Sequence, residues 1–93
     1  MWNEVEYLGE SYFHQDYDVY GTPDEVIHAF VNAEQPDVVA DLVADLNEVL
    51  AAEVGEGELA THWLESFGAY YDPRDDGMTY REWFTHVRDL LAQ

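Results

Sequence analysis

Apolar residues recur at helical spacing through residues 36–53, and this pattern limits the possible folds more than any other feature of the sequence. The recurring residues are Val38, Val39, Leu42, Val43, Leu46, Val49 and Leu50. On an α-helix they share one face, which must pack against another part of the chain. Pro36 suits the first turn of such a helix, and Gly55 follows its end. The pattern predicts the longest helix of the protein.

Two segments carry a capping box, in which a Thr side chain and a Glu three residues later bond each other's backbone N–H groups at a helix start. Thr22 and Glu25 form one candidate, and Thr79 and Glu82 form the other. The first predicts a helix that ends near residues 32–35, before Pro36. Its inward residues are predicted to be Val26, Ile27, Phe30 and Val31. The second predicts a last helix with an apolar face of Trp83, Phe84, Val87, Leu90 and Leu91.

Two further segments complete a prediction of five helices, one over residues 2–20 and one over residues 59–67 with Gly68 as its stop. Their apolar faces are Trp2, Val5, Leu8 and Tyr12 in the first and Leu59, Trp63, Leu64 and Phe67 in the second. A loop is predicted over residues 69–78. A chain of 93 residues has room for one core. We therefore predict an all-α fold, a single small domain over residues 1–93 with five short helices in a compact bundle.

The charge is strongly one-sided, because 21 acidic side chains stand against three Arg and no Lys, a formal net charge of -18. Such a charge repels nucleic acid and anionic lipid, and it steers basic proteins toward the surface. It also weakens the folded state by self-repulsion, so we expect the acidic surface to serve a purpose. The expected partner is a basic protein, with no binding to nucleic acid or membrane.

Five acidic residues on or just before the predicted 36–53 helix share one face that is separate from its apolar face. This acidic stripe consists of Glu34, Asp37, Asp41, Asp45 and Glu48. Like charges four residues apart each destabilise a helix by roughly 0.2–0.5 kcal/mol, and no Lys or Arg relieves them here. We interpret the stripe as a docking surface for a basic partner, with an ordinary solvated face as the alternative. A second acidic candidate consists of Asp16, Asp18, Asp24 and Glu25.

The sequence lacks the residue patterns typical of an enzyme or a metal site. Its histidines are scattered and form no HExxH-type pair. They are His14, His28, His62 and His86. Residues 72–77 resemble the start of a calcium loop, but Arg74 and Trp83 occupy the third and twelfth positions, where ligands are required. The absence of Cys removes disulfides and thiolate ligands. We expect no catalytic residue, no cofactor and no bound metal.

The sequence also gives an expectation for the location of the protein. Its first residues, Met1 to Glu4, do not resemble the basic and then apolar regions of a signal peptide. No apolar run approaches the roughly 20 residues that span a bilayer. A cytoplasmic location is therefore expected.

Several motifs resemble those of one protein family. Residues 12–17 read YFHQDY and residues 21–30 read GTPDEVIHAF. Phe67-Gly68, Tyr70, Tyr71 and Pro73 follow, and then DGMTYREWFTHV over residues 76–87. In this order and spacing they resemble the CdiI-type immunity proteins of bacterial contact-dependent growth inhibition and related polymorphic toxin systems. The resemblance implies a protein that is not an enzyme. Such a protein binds and neutralises, in the cytoplasm, a toxin domain from the C-terminal end of a large secreted effector.

Toxins of these systems are often nucleases, and an acidic immunity protein would complement the basic surface with which a nuclease grips phosphates. A motif shared by proteins that oppose different toxins is expected to serve the fold, so we predict a structural cluster separate from the interface. That cluster consists of Phe13, His14, Gln15, Tyr80 and Trp83. Two alternatives for the charge stay open: an acidic DNA mimic, and a protein-binding module adapted to concentrated salt.

Overall fold

The computed structural model describes residues 2–92, except for the side chain of Tyr20. Within this range the chain forms five α-helices and no strand. The helices are α1 (Asn3–Ser11), α2 (Pro23–Ala33), α3 (Pro36–Ala51), α4 (Glu56–Thr61) and α5 (Tyr80–Leu91). Two 3-10 turns cover Tyr17–Tyr20 and Pro73–Asp76, and a π-helical turn, His62–Ser66, directly continues α4. The predicted all-α fold with a single small domain is confirmed.

The long helix α3 packs against both α1 and α5. Glu4 near the start of α1 is bonded to Asp45 in α3, and Tyr12 just after α1 is bonded to Glu34 before α3. Helices α1 and α3 are therefore antiparallel. The other face of α1 contacts the π-helical turn, while α5 also contacts α2 and α4.

An aromatic centre joins the two halves of the chain. The ring of Phe13 lies 5.4 Å from the rings of both Trp63 and Trp83, measured between centroids. All three side chains are fully buried, as is Tyr80. The indole N–H of Trp63 donates to the carbonyl oxygen of Tyr71 at 2.7 Å. Tyr80 and Trp83 of the YREW segment therefore belong to the core, while Glu82 between them is exposed.

Helix starts are where the sequence predicts the structure best. Both capping boxes are present, with Thr22 and Glu25 at the start of α2 and Thr79 and Glu82 at the start of α5. The apolar face of α3 is directed inward, and its buried residues are Leu42, Leu46 and Val49. One inward assignment is wrong, because Val31 in α2 is 39% exposed.

The prediction of the first helix is wrong in its second half, because α1 ends at Ser11 and not at residue 20. Phe13 turns its side chain into the aromatic centre, and its carbonyl oxygen accepts a 2.7 Å hydrogen bond from the N–H of Tyr70. The donor of this bond is distant in sequence, so the Phe13 carbonyl is not used in a continuing helix. Residues 12–16 therefore form turns, and a short 3-10 turn follows.

The fourth predicted helix also differs from the structure. It begins at Glu56, earlier than predicted, and at His62 it widens into the π-helical turn. The N–H of Phe67 then bonds the carbonyl oxygen of His62 at 2.9 Å, five residues back. Gly68 follows with a φ of 68°, a left-handed conformation that suits glycine and stops the helix as predicted. The predicted loop over residues 69–78 contains a 3-10 turn.

Candidate partner-binding surface

Three residues of the acidic stripe form an exposed row along α3. They are Asp37, Asp41 and Glu48. Among the described residues their carboxylates have no hydrogen bond or ion pair, so solvent alone balances their charges. This row is the part of the stripe that is open to another molecule.

The other two residues of the stripe are half-buried and attach α1 to α3. The carboxylate of Glu34 accepts hydrogen bonds from the hydroxyls of Tyr7 at 2.9 Å and Tyr12 at 2.6 Å. Asp45 accepts the backbone N–H of Glu4 at 2.8 Å. Because the first N–H groups of a helix have no partner within it, Asp45 caps α1 from a neighbouring helix. Sequence reasoning missed these roles, since the bonded groups are far apart along the chain.

Glu4 joins this charged region from α1. Partial burial raises the pKa of its carboxyl group, and the nearby charges of Asp41, Asp45 and Glu34 raise it further. Burial is the larger cause, and the neighbouring carboxylates add to it across the line where the two helices meet. We call the whole region the α1/α3 acidic face, defined by Glu4, Glu34, Asp37, Asp41, Asp45 and Glu48.

The side chains of all three arginines have other partners, and that of Arg88 also bonds the side-chain oxygen of Asn47 in α3 at 3.4 Å. Arg74 pairs with Asp72 at 2.7 Å, and Arg88 lies 3.7 Å from Asp89. Arg81 donates to three main-chain carbonyls at and just after the end of α3. Within residues 2–92 no Arg side chain pairs with a carboxylate of the α1/α3 acidic face. The protein thus leaves this face unneutralised.

The second acidic candidate is divided by the structure. Asp24 lies 2.7 Å from the Nε2 atom of His86, and the carboxylate of Glu25 belongs to the capping box of α2. Asp16 and Asp18 are exposed at the turns before α2. The carboxylates of these last two have no hydrogen bond or ion pair among the described residues, whereas Asp24 and Glu25 have internal partners but keep part of their surface exposed.

The predicted structural cluster is also divided. Phe13, Tyr80 and Trp83 are fully buried. His14 is half-buried, and its Nδ1 atom accepts the N–H of Asp16 at 3.0 Å. Gln15 is exposed and does not share the burial of the others. Phe13 and Trp83 are in ring contact, whereas Tyr80 packs against Phe84.

A hydrogen-bonded loop before α5 contains polar contacts that the sequence alone did not predict. Tyr71 donates from its hydroxyl to Asp76 at 2.7 Å, and Tyr80 donates to Asp72 at 3.1 Å. Burial and the bond to Asp76 raise the pKa of the Tyr71 hydroxyl. The hydrogen bond from Arg74 lowers the pKa of Asp72, so that carboxyl group is stabilised in its charged form. This loop is internally satisfied and supports the fold.

Nowhere in residues 2–92 do three His, Asp or Glu side chains lie together in a way that could hold a metal ion. None of the helices in the same range is long and apolar enough to cross a membrane. The surface feature that distinguishes this molecule is its α1/α3 acidic face.

Comparison with known proteins gives a family. Among curated proteins, no sequence matches this chain significantly. The fold is similar to a chain in the crystal structure of a CdiA-CT/CdiI complex from Y. kristensenii 33638, with a TM-score of 0.91, 24% sequence identity and 97% of each chain covered. The family model described as CdiI immunity protein matches residues 1–91 and confirms the resemblance of the sequence motifs. Since this match extends over nearly the whole sequence, the chain belongs to the CdiI immunity protein family.

Proposed function

We propose that the protein binds the C-terminal toxin domain of a large secreted effector and neutralises it in the cytoplasm, using the α1/α3 acidic face. Membership of the immunity protein family supports a neutralising role. The similar solved structure is that of a CdiA-CT/CdiI complex, which favours the same class of partner here.

The observation that carries this proposal is the uncompensated charge of the α1/α3 acidic face. Neighbouring carboxylates contribute, after burial, to the raised pKa of Glu4, and no arginine of the described chain pairs with a carboxylate of the face. Lys or Arg side chains of a partner would relieve this repulsion on binding. The charge that weakens the isolated fold would then strengthen and accelerate the association.

The chemistry of this face favours a basic partner surface, such as the phosphate-gripping surface of a nuclease. Asp37, Asp41 and Glu48 are the proposed contact residues because they are exposed and have no internal partner. Glu34 and Asp45 are proposed to contribute negative electrostatic potential while their hydrogen bonds hold α1 in place. Asp16 and Asp18 are the proposed second contact, and Asp24 and Glu25 serve α2 and its packing.

The test uses the domain encoded at the 3′ end of the gene directly upstream, purified and titrated with this protein. A variant with Asp37→Asn, Asp41→Asn and Glu48→Gln should associate about tenfold more slowly, and the difference should shrink as salt is raised. The matched control changes exposed acids outside the face, with the same gain in net charge. It carries Glu53→Gln, Glu58→Gln and Glu65→Gln.

The control variant should associate nearly as fast as the wild-type protein. Equal slowing of both variants would show that only the net charge matters, which contradicts a role for this face. No binding of the upstream domain by the wild-type protein would contradict the proposal as a whole. A protein that folds only in molar salt would instead support adaptation to salt, and displacement of duplex DNA from a DNA-binding protein would support a DNA mimic.

A further inference from the structure

An aromatic groove of about 220 Å³ opens where the first turn of α1 meets the π-helical turn. It is lined by Trp2, Asn3, Glu6, His62 and Phe67. The rings of Trp2 and His62 meet edge to face, with their centroids 5.5 Å apart. His62 and Phe67 are stacked, with centroids 6.0 Å apart and planes inclined by 27°. Three half-buried rings thus form the walls, and each keeps part of its surface open.

Two local features build this groove. The π-type hydrogen bond from Phe67 to His62 brings the rings of these two residues side by side, although they are five positions apart. Gly9 lets α1 approach closely, because a Cβ atom there would lie only 3.2 Å from the Cβ of Phe67. π-helical turns of this kind are frequent at functional sites. The groove is therefore a specific product of the fold.

The charge around the groove favours a cation. Glu6 is exposed at its rim, and Glu4 lies in the same first turn of α1. The helix N-terminus would by itself repel a cation, but Asp45 already accepts the N–H of Glu4 and these acids offset the remaining dipole. None of the three arginines in the described chain contacts the groove residues, since each is engaged at other groups.

We propose that the groove receives an arginine side chain of the toxin domain, an inference that rests on the function proposed above. A guanidinium group is planar, is weakly hydrated, stacks on aromatic rings and pairs with a carboxylate. Trp2 supplies the ring and Glu6 the carboxylate. A purely apolar side chain would desolvate the charge of Glu6 without pairing it, which is unfavourable. Because α1 lies between α3 and the π-helical turn, a partner that covers α1 reaches both the groove and the acidic face.

The groove can be tested first with a hexa-arginine peptide. Trp63 and Trp83 are 0% exposed, so quenching of tryptophan fluorescence by acrylamide reports mainly on Trp2. Hexa-arginine should protect Trp2 from acrylamide better than hexalysine at the same concentration. Glu6→Gln should weaken that protection, whereas Glu10→Gln, an equal charge change on the same helix, should leave it nearly intact. Equal protection by the two peptides, or equal effects of the two variants, would overturn the proposal.

The second test uses the upstream-encoded toxin domain and the variant Trp2→Leu, which keeps an apolar side chain but removes the aromatic face. The complex should dissociate about fivefold faster, while association should change little. Tyr70→Leu is the matched control, because Tyr70 is an aromatic residue that is 64% exposed outside the groove. If Trp2→Leu melts at a lower temperature than the wild-type protein, Glu6→Gln replaces it in this comparison.

The outcomes separate this inference from the proposed function. Unchanged dissociation with both Trp2→Leu and Glu6→Gln, together with slowed association of the variant at Asp37, Asp41 and Glu48, would overturn the groove and leave the proposed function standing. If the wild-type protein does not bind the toxin domain, the proposed function fails. The hexa-arginine experiment then still decides whether the groove prefers a guanidinium group.

Discussion

The α1/α3 acidic face and the C-terminal region, residues 69–92, treat the same kind of side chain in opposite ways. In the C-terminal region Asp72 pairs with Arg74, Asp76 accepts the Tyr71 hydroxyl, and the carboxylate of Glu82 closes a capping box. On the acidic face the carboxylates lie near other carboxylates. The C-terminal region completes these contacts internally, whereas the acidic face leaves Asp37, Asp41 and Glu48 to solvent or to a partner.

The pKa directions show the same contrast. The pKa of Asp72 is lowered by its bond to Arg74, whereas the pKa of Glu4 is raised by burial and by the charges of neighbouring acids. Folding therefore stabilises the charge at one site and opposes it at the other. A protein under selection for stability alone would have little reason to keep the second arrangement. The contrast separates the residues that build the fold from those proposed to recognise a partner.

The largest effect expected is the loss of the aromatic centre. Trp83 is fully buried, with its ring 4.9 Å from Tyr71 and 5.4 Å from Phe13 between centroids. Trp83→Ala should lower the free energy of unfolding by about 3–5 kcal/mol, which leaves a small domain largely unfolded. Chemical denaturation measures this, with the exposed Tyr70→Ala as the control. A wild-type melting curve for Trp83→Ala would mean that the motif is a contact surface rather than core.

The next effect concerns Arg81, which ties the end of α3 to the start of α5. Its guanidinium donates to the carbonyls of Leu50, Ala52 and Val54 at 2.6–3.0 Å. Arg81→Ala should lower the free energy of unfolding by about 2–3 kcal/mol, because hydrogen bonds from a charged donor are strong and the carbonyls lose their partner.

Arg74→Ala is the control for this prediction, since it removes the same type of side chain from an exposed pair. Its cost should be clearly smaller than that of Arg81→Ala, because exposed ion pairs add little to stability. Equal costs for the two variants would show that the carbonyl contacts of Arg81 add nothing beyond surface charge. The comparison also tests whether the C-terminal region depends on its polar contacts.

A smaller pair of effects should have opposite signs within the acidic stripe itself. Asp45 caps α1 through the N–H of Glu4, so Asp45→Ala should lower the free energy of unfolding by about 1 kcal/mol. Asp41 is exposed and contributes only repulsion, so Asp41→Ala should raise that free energy by roughly 0.2–0.5 kcal/mol. Urea denaturation of both variants measures the difference. Changes of the same sign would contradict the division of the stripe into structural and open residues.

Local signals in the sequence predicted the fold well. The capping boxes at Thr22 and Thr79 were correct because both partners lie within one helical turn. The apolar face of α3 was correct because its period follows from helix geometry. The end of α1 was wrong because the carbonyl of Phe13 bonds Tyr70, a residue that no local pattern connects with it. The π-helical turn was also missed, because nothing in the sequence of residues 62–66 distinguishes it from an α-helix.

The position of the candidate surface was predictable from the sequence, but which of its residues hold the fold together and which are open to a partner was not. Helical spacing placed Asp37, Asp41 and Asp45 on one side of α3, which the sequence alone establishes. It could not show that Asp45 caps another helix or that Glu4 joins the face, because both facts depend on how α1 packs. The arginines show the same limit: their scarcity was visible in the sequence, but their engagement elsewhere required the structure.

The smallest expected effect is a difference in the pH dependence of stability between the two regions. The raised pKa of Glu4 means that the folded protein binds this proton more tightly than the unfolded chain. Protonation of Glu4 therefore adds stability as the pH falls toward 4.5, the ordinary pKa of a glutamate side chain. Asp72 behaves in the opposite way, because its lowered pKa gives stability that is present above its ordinary value of 3.8 and is lost as the pH falls through the folded value.

Urea midpoints measured against pH for the wild-type protein, Glu4→Gln and Asp72→Asn would separate these contributions. Glu4→Gln should be more stable than the wild-type protein at neutral pH, and this advantage should disappear as the pH approaches 4.5. Asp72→Asn should be less stable at neutral pH, and its deficit should disappear below 3.8. Subtracting the wild-type midpoint from that of each variant at the same pH removes the contribution of the other carboxylates, which titrate in both proteins. If Glu4→Gln were destabilising at neutral pH, its charge would be favourable in the fold, and repulsion on the α1/α3 acidic face could not be the reason for a basic partner.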